Sequence, residues 1–361
     1  MWYSKLDRSL TNGLIRRYQQ FIPLDVNANI VSINEGDTPL IRLRSLSSHK
    51  LNITVYGKYE GSNPTGSFKD RGMTVAISNA LAAGNRAIIC ASTGNTSASA
   101  AAYAARAGLV AFVLIPEGKI AVGKLAQAIA HGAHVIQING NFDDGMMLVK
   151  DLAKTEQIAI VNSVNKYRLH GQKTAAFEII DVLHRSPDFH YLPVGNAGNI
   201  SAYWMGYQEY HLAGHSKNLP VMIGCQASGA APFVRGEIVL EPDTIATAIR
   251  IGNPQSWDLA WEASQNSQGW FLECSDHEIL AAQKLLAEQE GIFCEPASAA
   301  SVAGLVADLA NNKIPPDSTV VCTLTGAGLK DPDSALLNGP APMSVSADLE
   351  SVKRTILDNI S

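Results

Sequence analysis

Short apolar runs alternate with longer, Ala-rich segments from about residue 51 to residue 324. The runs favour β-strands because they are rich in Val and Ile, and the segments between them are long enough for helices. Strands that alternate with helices at this spacing indicate a mostly parallel sheet that is covered on both faces. The predicted strands are Ile53–Tyr59, Arg86–Cys90, Leu109–Ile115, Val135–Ile138, Ile158–Val161, Tyr191–Val194, Val221–Gln226 and Ser318–Leu324.

Helices are predicted in the segments that separate these strands. Positions 227–275 are less regular, and their Gly, Pro and Ser clusters predict loops near a cleft. Within them Trp257 and Trp261 are four residues apart and are expected to pack on one helix face. The predicted helices are Gly13–Leu24, Lys69–Ala83, Thr96–Ala107, Ala121–His131, 143–155, Lys173–His184, a helix from about Ile200, His277–Gln289 and Pro296–Leu309.

The alternation of strands and helices occurs twice, which predicts an α/β protein with two doubly wound, mostly parallel-sheet domains. The length of 361 residues also fits two domains. We predict an N-terminal segment at residues 1–50 that packs with the large domain, a small domain at 51–162 and a large domain at 163–361. Part of the N-terminal segment is expected to complete the sheet of the large domain.

Composition and charge narrow the possible functions. Hydrophobic residues make up 46% of the chain and charged residues 17%, which fits a compact α/β enzyme. The net charge is -5 and no basic cluster stands out, so nucleic acid is not expected as a partner. Without a signal segment or a long apolar run, the protein is expected to be cytoplasmic and free of membrane contact. The five cysteines are far apart and are expected to be reduced core residues, with no metal site.

Residues 63–72, Asn-Pro-Thr-Gly-Ser-Phe-Lys-Asp-Arg-Gly, place a lysine at the start of a predicted helix. Pro64 and Gly66 indicate a turn, and Ser67 is the expected N-cap. Lys69 then lies where backbone N–H groups converge and the helix dipole is positive. This setting favours the neutral amine that a Schiff-base lysine needs. From this segment alone, a solvated surface lysine is the alternative.

Three further loops follow predicted strands, at the edge where ligands bind in doubly wound folds. Residues 91–97 offer hydroxyl and amide groups, residues 195–199 open a helix, and residues 325–332 begin with a threonine beside glycine. The second loop lacks the dinucleotide and P-loop patterns, but its N–H groups could hold one phosphate. For residues 91–97 the alternative is ordinary helix capping, and for residues 195–199 it is a tight turn that binds no ligand. With the lysine turn, these loops supply the groups that pyridoxal phosphate (PLP) needs.

These motifs resemble those of the threonine synthases, which belong to the fold type II, tryptophan synthase β-like PLP enzymes. The resemblance extends from about residue 12 to residue 335, and its motifs are long and occur in the family's order. It therefore implies two domains with PLP in the cleft between them. The matching segments are 13–18, 63–72, 92–96, 195–199, 295–299 and 324–332.

The resemblance also implies roles for individual residues. Lys69 forms the Schiff base with PLP and serves as the catalytic acid and base, Asn95 bonds the 3′-oxygen, and Thr325 contacts the pyridine nitrogen. The hydroxyl of Thr325 implies a milder electron sink than an aspartate would give. The cofactor phosphate is held by Gly195, Asn196, Ala197, Gly198 and Asn199.

The family reaction converts O-phospho-L-homoserine and water to L-threonine and phosphate by β,γ-elimination and replacement. Because the substrate carries its own phosphate, a second anion site is required. Arg168, Asn162 and Ser163 follow the strand that ends near residue 161 and are the expected phosphate ligands. Ser92, Thr93 and Thr96 are expected nearby for the carboxylate or the phosphate. The resemblance further implies a homodimer.

One departure from the family pattern bears on activity. The last motif usually carries histidine where this chain has Ala327, and we expect a neighbouring side chain or a water to fill that space. The main alternative function is a PLP-dependent threonine or serine dehydratase, which shares the lysine motif and the glycine-rich loop. A PLP-binding protein without catalytic activity is a further alternative; Ala327 favours it and the intact Lys69 argues against it.

Overall fold

The structure, a computed structural model, describes residues 13–25, 27–117, 122–140, 142–163, 165–333 and 342–360. The chain divides into two compact units, Met1–Asp331 and Pro332–Ser361. Both sheets and the cleft described below belong to the first unit. The second unit contains one described helix. No helix in the described ranges is long and apolar enough to cross a membrane.

The first unit contains a six-stranded sheet and a four-stranded sheet. The larger has the order β1-β2-β10-β7-β8-β9, in which β1 is antiparallel to β2 and the other neighbours are parallel. The smaller has the order β5-β4-β3-β6 and is parallel throughout. The strands are β1 (Leu40–Arg42), β2 (Thr54–Tyr59), β3 (Ala87–Ala91), β4 (Val110–Pro116), β5 (His134–Ile138), β6 (Ile158–Ile160), β7 (Phe189–Pro193), β8 (Val221–Ala227), β9 (Trp270–Cys274) and β10 (Thr319–Leu324).

Helices cover both faces of the large sheet, as the alternating pattern predicts. Along β10, Val320 and Cys322 belong to the core beneath the helices α11 and α12, whereas Val321 belongs to the core beneath α7 and α8. The helices are α1 (Leu14–Arg17), α2 (Lys69–Ala82), α3 (Asn95–Ala107), α4 (Val122–Ala130), α5 (Phe142–Thr155), α6 (Tyr167–Gln172), α7 (Thr174–Leu183), α8 (Gly198–Leu212), α9 (Pro232–Arg235), α10 (Trp257–Asn266), α11 (Asp276–Glu290), α12 (Pro296–Ala310) and, in the second unit, α13 (Leu349–Asp358).

The sheet topology corrects one expectation and confirms another. The sequence places residues 53–59 with the small domain, but β2 pairs with β1 and β10 in the six-stranded sheet. An apolar run in the sequence identifies a strand, but the neighbouring strands in the sheet depend on contacts with residues that are distant in sequence. The expectation that the N-terminal segment completes the larger sheet is confirmed by β1. The domain boundary near residue 162 stays a prediction.

The irregular region 227–275 contains more structure than its composition suggests. It holds the edge strand β9 and helix α10, in addition to loops. Trp257 and Trp261 do lie on that helix, 6.5 Å apart between ring centroids, and both contact the ring of Phe233. The strand β9 is not predicted from the sequence, because polar residues flank its short apolar run. All five cysteines are buried and unbridged, as predicted.

A buried ionic cluster connects the start of α2 to the large sheet. Arg71 donates to the carboxylates of Glu60 and Glu178 at 2.6–2.8 Å. Lys58 on β2 also donates to Glu178, at 2.7 Å. All four side chains are nearly inaccessible to water. Two buried cations are thus balanced by two buried carboxylates directly behind the lysine turn.

Candidate active site

A cleft of about 1550 Å³ opens at the carboxyl ends of the parallel strands. Parallel strands end at one edge of a sheet, so the loops that follow them converge there. The structure brings every site residue predicted from the sequence to the wall of this one cleft. These residues are Lys69, Ser92, Thr93, Asn95, Thr96, Asn162, Ser163, Arg168, Gly195, Asn196, Ala197, Gly198, Asn199 and Thr325.

The lysine turn is held against the end of β10. The backbone N–H of Phe68 donates to the carbonyl oxygen of Thr325 at 3.0 Å, and Ser67 pairs with Gly326 in an isolated bridge. Phe68, not the expected Ser67, is the N-cap of α2, although the Ser67 hydroxyl still accepts from the Lys69 N–H at 3.4 Å. Lys69 is therefore the first helical residue, at a fixed position relative to Thr325.

Asp70 closes the turn from inside the protein. Its carboxylate accepts from the N–H and hydroxyl of Thr65 at 2.7 and 2.6 Å and from the hydroxyl of Ser99 at 2.6 Å. Burial raises the pKa of Asp70 to about 6, although these hydrogen bonds oppose the rise. Because Ser99 lies on α3, this carboxylate also connects the helix that begins at Lys69 to the helix that begins at Asn95.

The pKa of the Lys69 amine responds to burial and to two charges of opposite sign. Burial and then the positive charge of Arg168 lower its pKa to about 7, whereas the carboxylate of Glu295 opposes the shift. The amine nitrogen is 4.3 Å from the centre of the Phe68 ring. A substantial fraction of Lys69 is thus neutral near pH 7, and only the neutral amine can attack a carbonyl.

The loop after β7 has the form of an anion site. A Cβ on Gly195 would lie 2.8 Å from the Cα of Ile249, and Ala197 has φ +65°. Asn199, in the first turn of α8, is buried, and neither atom of its amide has a hydrogen-bond partner among the described residues. A helix N-terminus together with an unpartnered buried amide favours a bound anion such as a phosphate.

The loop after β6 holds two of the predicted substrate residues in different ways. The amide of Asn162 exchanges hydrogen bonds with the backbone of Ala91, at 3.0 and 2.9 Å, so both of its polar groups are engaged. The hydroxyl of Ser163 accepts from the amide of Asn196 at 3.0 Å and keeps its own proton for another partner. Asn162 therefore positions the loop, whereas Ser163 can still donate.

Arg168 is a buried cation without a carboxylate partner among the described residues. Arg168 is 2% exposed, its Nε has no hydrogen-bond partner among the residues that the structure describes, and one Nη donates to the carbonyl of Val161 at 3.3 Å. Burial lowers its pKa to about 10, at which the guanidinium is still charged at neutral pH. An unpaired buried charge is costly unless a ligand of opposite charge binds.

Comparison with known proteins identifies the family. The model of the family described as pyridoxal-phosphate dependent enzyme matches residues 31–326. A threonine synthase of Mycobacterium bovis is 59% identical over 337 residues, which cover 93% of each chain.

The chain belongs to the threonine synthase family of PLP-dependent enzymes.

Threonine synthases of two other organisms are also similar to this chain. A threonine synthase of Synechocystis sp. is 54% identical and covers 95% of this chain and 90% of its own length. One from Methanocaldococcus jannaschii is 50% identical and covers 94% and 86%. Among solved structures, an O-ureido-L-serine synthase superposes with a TM-score of 0.72 at 20% identity, covering 88% of this chain and 97% of that one. A tomato (Solanum lycopersicum) threonine deaminase gives a TM-score of 0.70 at 22% identity, covering 85% and 89%. These two structures support the fold type II, tryptophan synthase β-like architecture.

The residues of the cleft fit the family's cofactor. Lys69 offers an amine with a lowered pKa, and Asn199, at a helix N-terminus, offers a buried amide that has no partner within the described ranges. Asn95 and Thr325, the expected partners of the 3′-oxygen and the ring nitrogen, line the same cleft. Bound PLP would supply an electron sink that stabilises negative charge on the carbon atoms of an attached amino acid.

The structure adds two ionisable residues to which the sequence assigned no role. Glu295, buried just before α12, accepts from the Asn95 amide at 3.0 and 3.3 Å. Lys330 lines the cleft and donates to the amide oxygen of Gln127 at 2.5 Å. Both lie in segments that match the family motifs. Glu295 could have been noticed as an acidic residue before a proline that starts a helix, but its ligand-facing position depends on the tertiary structure.

Ala327 does not line the cleft in the described part of the chain. Its N–H donates to the carbonyl of Gly66 at 2.9 Å, so its backbone supports the lysine turn. The space beside Gly66 is shared by the Ala327 methyl group and the stem of Lys330. Which group fills the space beyond the Ala327 methyl group stays a prediction.

Proposed function

We propose that this protein is a PLP-dependent threonine synthase, a carbon–oxygen lyase that acts on a phosphate ester. It converts O-phospho-L-homoserine and water to L-threonine and phosphate. The observation that carries the proposal beyond the family is the buried guanidinium of Arg168, which has no carboxylate partner among the described residues and lines the same cleft as Lys69. The cleft therefore has two anion sites: the loop after β7 provides one, and Arg168 provides the other. One suits the phosphate of the cofactor, and the other suits the phosphate of the substrate.

Lys69 has two tasks in this reaction. Its neutral amine would hold the cofactor, and with substrate bound the same amine would be placed to accept and return protons. The lowered pKa makes both protonation states accessible near pH 7. Its fixed position on the first turn of α2, bonded through Phe68 to Thr325, keeps the amine directed into the cleft.

Arg168 and Ser163 would bind the phosphate that leaves. A guanidinium can donate two parallel hydrogen bonds to phosphate, and Ser163 adds a hydroxyl proton. Ser92, Thr93 and Thr96 surround the start of α3 and would bind the remaining carboxylate or phosphate oxygens. Asn162 acts indirectly, because its amide joins the ends of β3 and β6 and so holds these loops together.

A threonine or serine dehydratase is the second candidate from the cofactor chemistry. Its substrates carry no phosphate, so Arg168 would stay buried and unpaired throughout the reaction. The tomato threonine deaminase resembles this chain in fold, at 22% identity, whereas the threonine synthases are 50–59% identical. The synthase reaction is therefore the better supported of the two.

The proposal is tested by borohydride reduction and by a comparison of two substrates. Borohydride should attach the cofactor to Lys69, and Lys69→Ala should lose this attachment and all turnover while its circular dichroism spectrum is unchanged. Lys284→Ala, an exposed lysine, is the matched control and should behave like the unaltered protein. O-phospho-L-homoserine should yield threonine and phosphate. A label on another lysine, or 2-oxobutanoate formed from threonine as the main activity, would contradict the proposal.

We also propose that the enzyme is a cytoplasmic homodimer. The homodimer comes from the resemblance to the family, and the cytoplasmic location from the five buried, unbridged cysteines, which are typical of a reducing compartment. Analytical ultracentrifugation of the full chain measures the oligomeric state, and a mass of one chain would contradict the homodimer. Cell fractionation measures the location.

A further inference from the structure

Glu295 contacts both of the side chains that are expected to face the cofactor ring. Its carboxylate accepts from the amide nitrogen of Asn95 at 3.0 and 3.3 Å and from the hydroxyl of Thr325 at 3.3 Å. In a pyridine ring, the 3-position and the nitrogen are separated by one ring atom. Their two protein partners must therefore lie close together, and one carboxylate can reach both.

The carboxylate is built into its place. The N–H of Glu295 donates to the carbonyl of Gly326 at 3.1 Å, and Pro296 then begins α12. A Cβ on Gly326 would lie 2.6 Å from the Glu295 carboxylate, so glycine is needed there for the carboxylate to fit. Ser298 holds the other side of Thr325, at 2.9 Å between their hydroxyl oxygens.

The contact with Asn95 determines which way that amide faces. An ionised carboxylate only accepts hydrogen bonds, so the nitrogen of the Asn95 amide, and not its oxygen, must point towards Glu295. The nitrogen carries two N–H groups, and one of them is used in this contact. The other is left to donate to a second acceptor in the cleft. If the amide turned over, its oxygen would repel an acceptor such as the 3′-oxygen.

We propose that Glu295 is a positioning residue that fixes the amide of Asn95 with its free N–H towards the 3′-oxygen of PLP. The inference rests on the proposed cofactor site. Glu295 connects α12, which covers the large sheet, to the start of α3, which follows the small sheet, and so also fixes the position of Asn95 relative to Thr325. Burial raises the pKa of the Glu295 carboxyl above its usual value, and the hydrogen bonds from Asn95 and Thr325, with smaller effects of Lys69 and Lys330, oppose the rise.

The test is a double-mutant cycle on the full chain with PLP, using Glu295→Ala, Asn95→Ala and the combined variant. Each single change should raise the dissociation constant for PLP about tenfold, because each removes the same charged hydrogen bond. Each should also reduce the visible absorption band of the bound cofactor relative to its near-ultraviolet band. The combined variant should be no worse than Asn95→Ala alone.

Two control variants and one replacement variant accompany the cycle. Glu295→Gln keeps an acceptor for Asn95 and should recover most of the visible band. Glu288→Ala removes an exposed glutamate from α11 and should change nothing. If Glu295→Ala does not fold, the same cycle is run with Glu295→Leu, which fills the space but offers Asn95 no acceptor.

Additive effects of the two changes, or a visible band that Glu295→Ala leaves intact, would overturn the role of Glu295. Failure of the unaltered chain to bind PLP at Lys69 would instead overturn the proposed function. The two failures are therefore distinguishable.

Discussion

At the scale of single residues, the cleft contains buried polar groups whose hydrogen bonding is not satisfied among the described residues. Arg168 is buried without a carboxylate partner among the described residues, and Asn199 has an unpartnered amide. Burying such groups costs free energy in the ligand-free protein. The arrangement makes sense for a site in which anions complete the hydrogen bonding, and it makes binding strongly dependent on charge.

We expect Arg168→Ala to raise the KM for O-phospho-L-homoserine about ten- to a hundredfold, because charged hydrogen bonds to the phosphate are lost. Arg168→Lys should have an intermediate effect, since it keeps the charge but not the planar fork. Steady-state kinetics measures both. Arg185→Ala, at an exposed arginine, is the control. An unchanged KM in Arg168→Ala would show that the substrate phosphate binds elsewhere.

At the scale of elements, two glycines bring the backbones of α2 and α6 into contact. A Cβ on Gly171 would lie 1.8 Å from the carbonyl oxygen of Arg71, and one on Gly72 would lie 2.9 Å from the carbonyl oxygen of Arg168. Helices approach this closely only where side chains are absent. Since Lys69 begins α2 and Arg168 lies on α6, this contact sets the position of the amine relative to the guanidinium.

Gly171→Ala should therefore disturb cofactor and substrate binding together. The added methyl group must push the two helices apart, and we expect a loss of at least about 2 kcal/mol in the free energy of unfolding. Urea denaturation and the KM for O-phospho-L-homoserine are the two measurements. Gly145→Ala on α5 is the control, because its Cβ would meet Ile138 Cδ1 at 3.3 Å and no backbone. Equal stability of both variants would show that the contact is not essential.

At the scale of the whole molecule, the buried ionic cluster joins the lysine helix to the large sheet. Although burial alone would raise it, Arg71 and Lys58 hold the pKa of Glu178 well below its usual value. The unfolded chain releases this proton only near the ordinary pKa of 4.5. Glu178 thus stabilises the fold above that pH, and the contribution is lost as the pH falls further below it.

Glu178→Gln should lower the free energy of unfolding at pH 7 by about 3–5 kcal/mol, because it leaves a buried cation without compensation. It should also flatten the loss of stability below pH 4.5. Chemical denaturation at several pH values measures both effects. Lys58→Met combined with Glu178→Gln should be less destabilised than the sum of the single changes, since it removes one charge of each sign. Full additivity would argue against a coupled cluster.

Local sequence was sufficient for the class of fold and for the loops that line the cleft. Apolar runs separated by Ala-rich segments reflect strands buried between helices, which is a local requirement that each segment meets by itself. The loops near Lys69, Asn95, Gly195 and Thr325 could be grouped because parallel strands end at one edge. The roles of these residues stay predictions, whereas their convergence in one cleft is visible in the structure.

Only the tertiary structure decided the pairings between distant residues. Three contacts join positions that are about 100 to 265 residues apart in the chain. They are the pairing of β2 with β10, the contact of Gly72 with α6 and the hydrogen bond between Asn95 and Glu295. No local pattern carries such information, because the free energy of these contacts comes from burial and charge balance in the folded chain. The lowered pKa of Lys69 has the same origin: the helix start was evident in the sequence, but burial and Arg168 supply the shift.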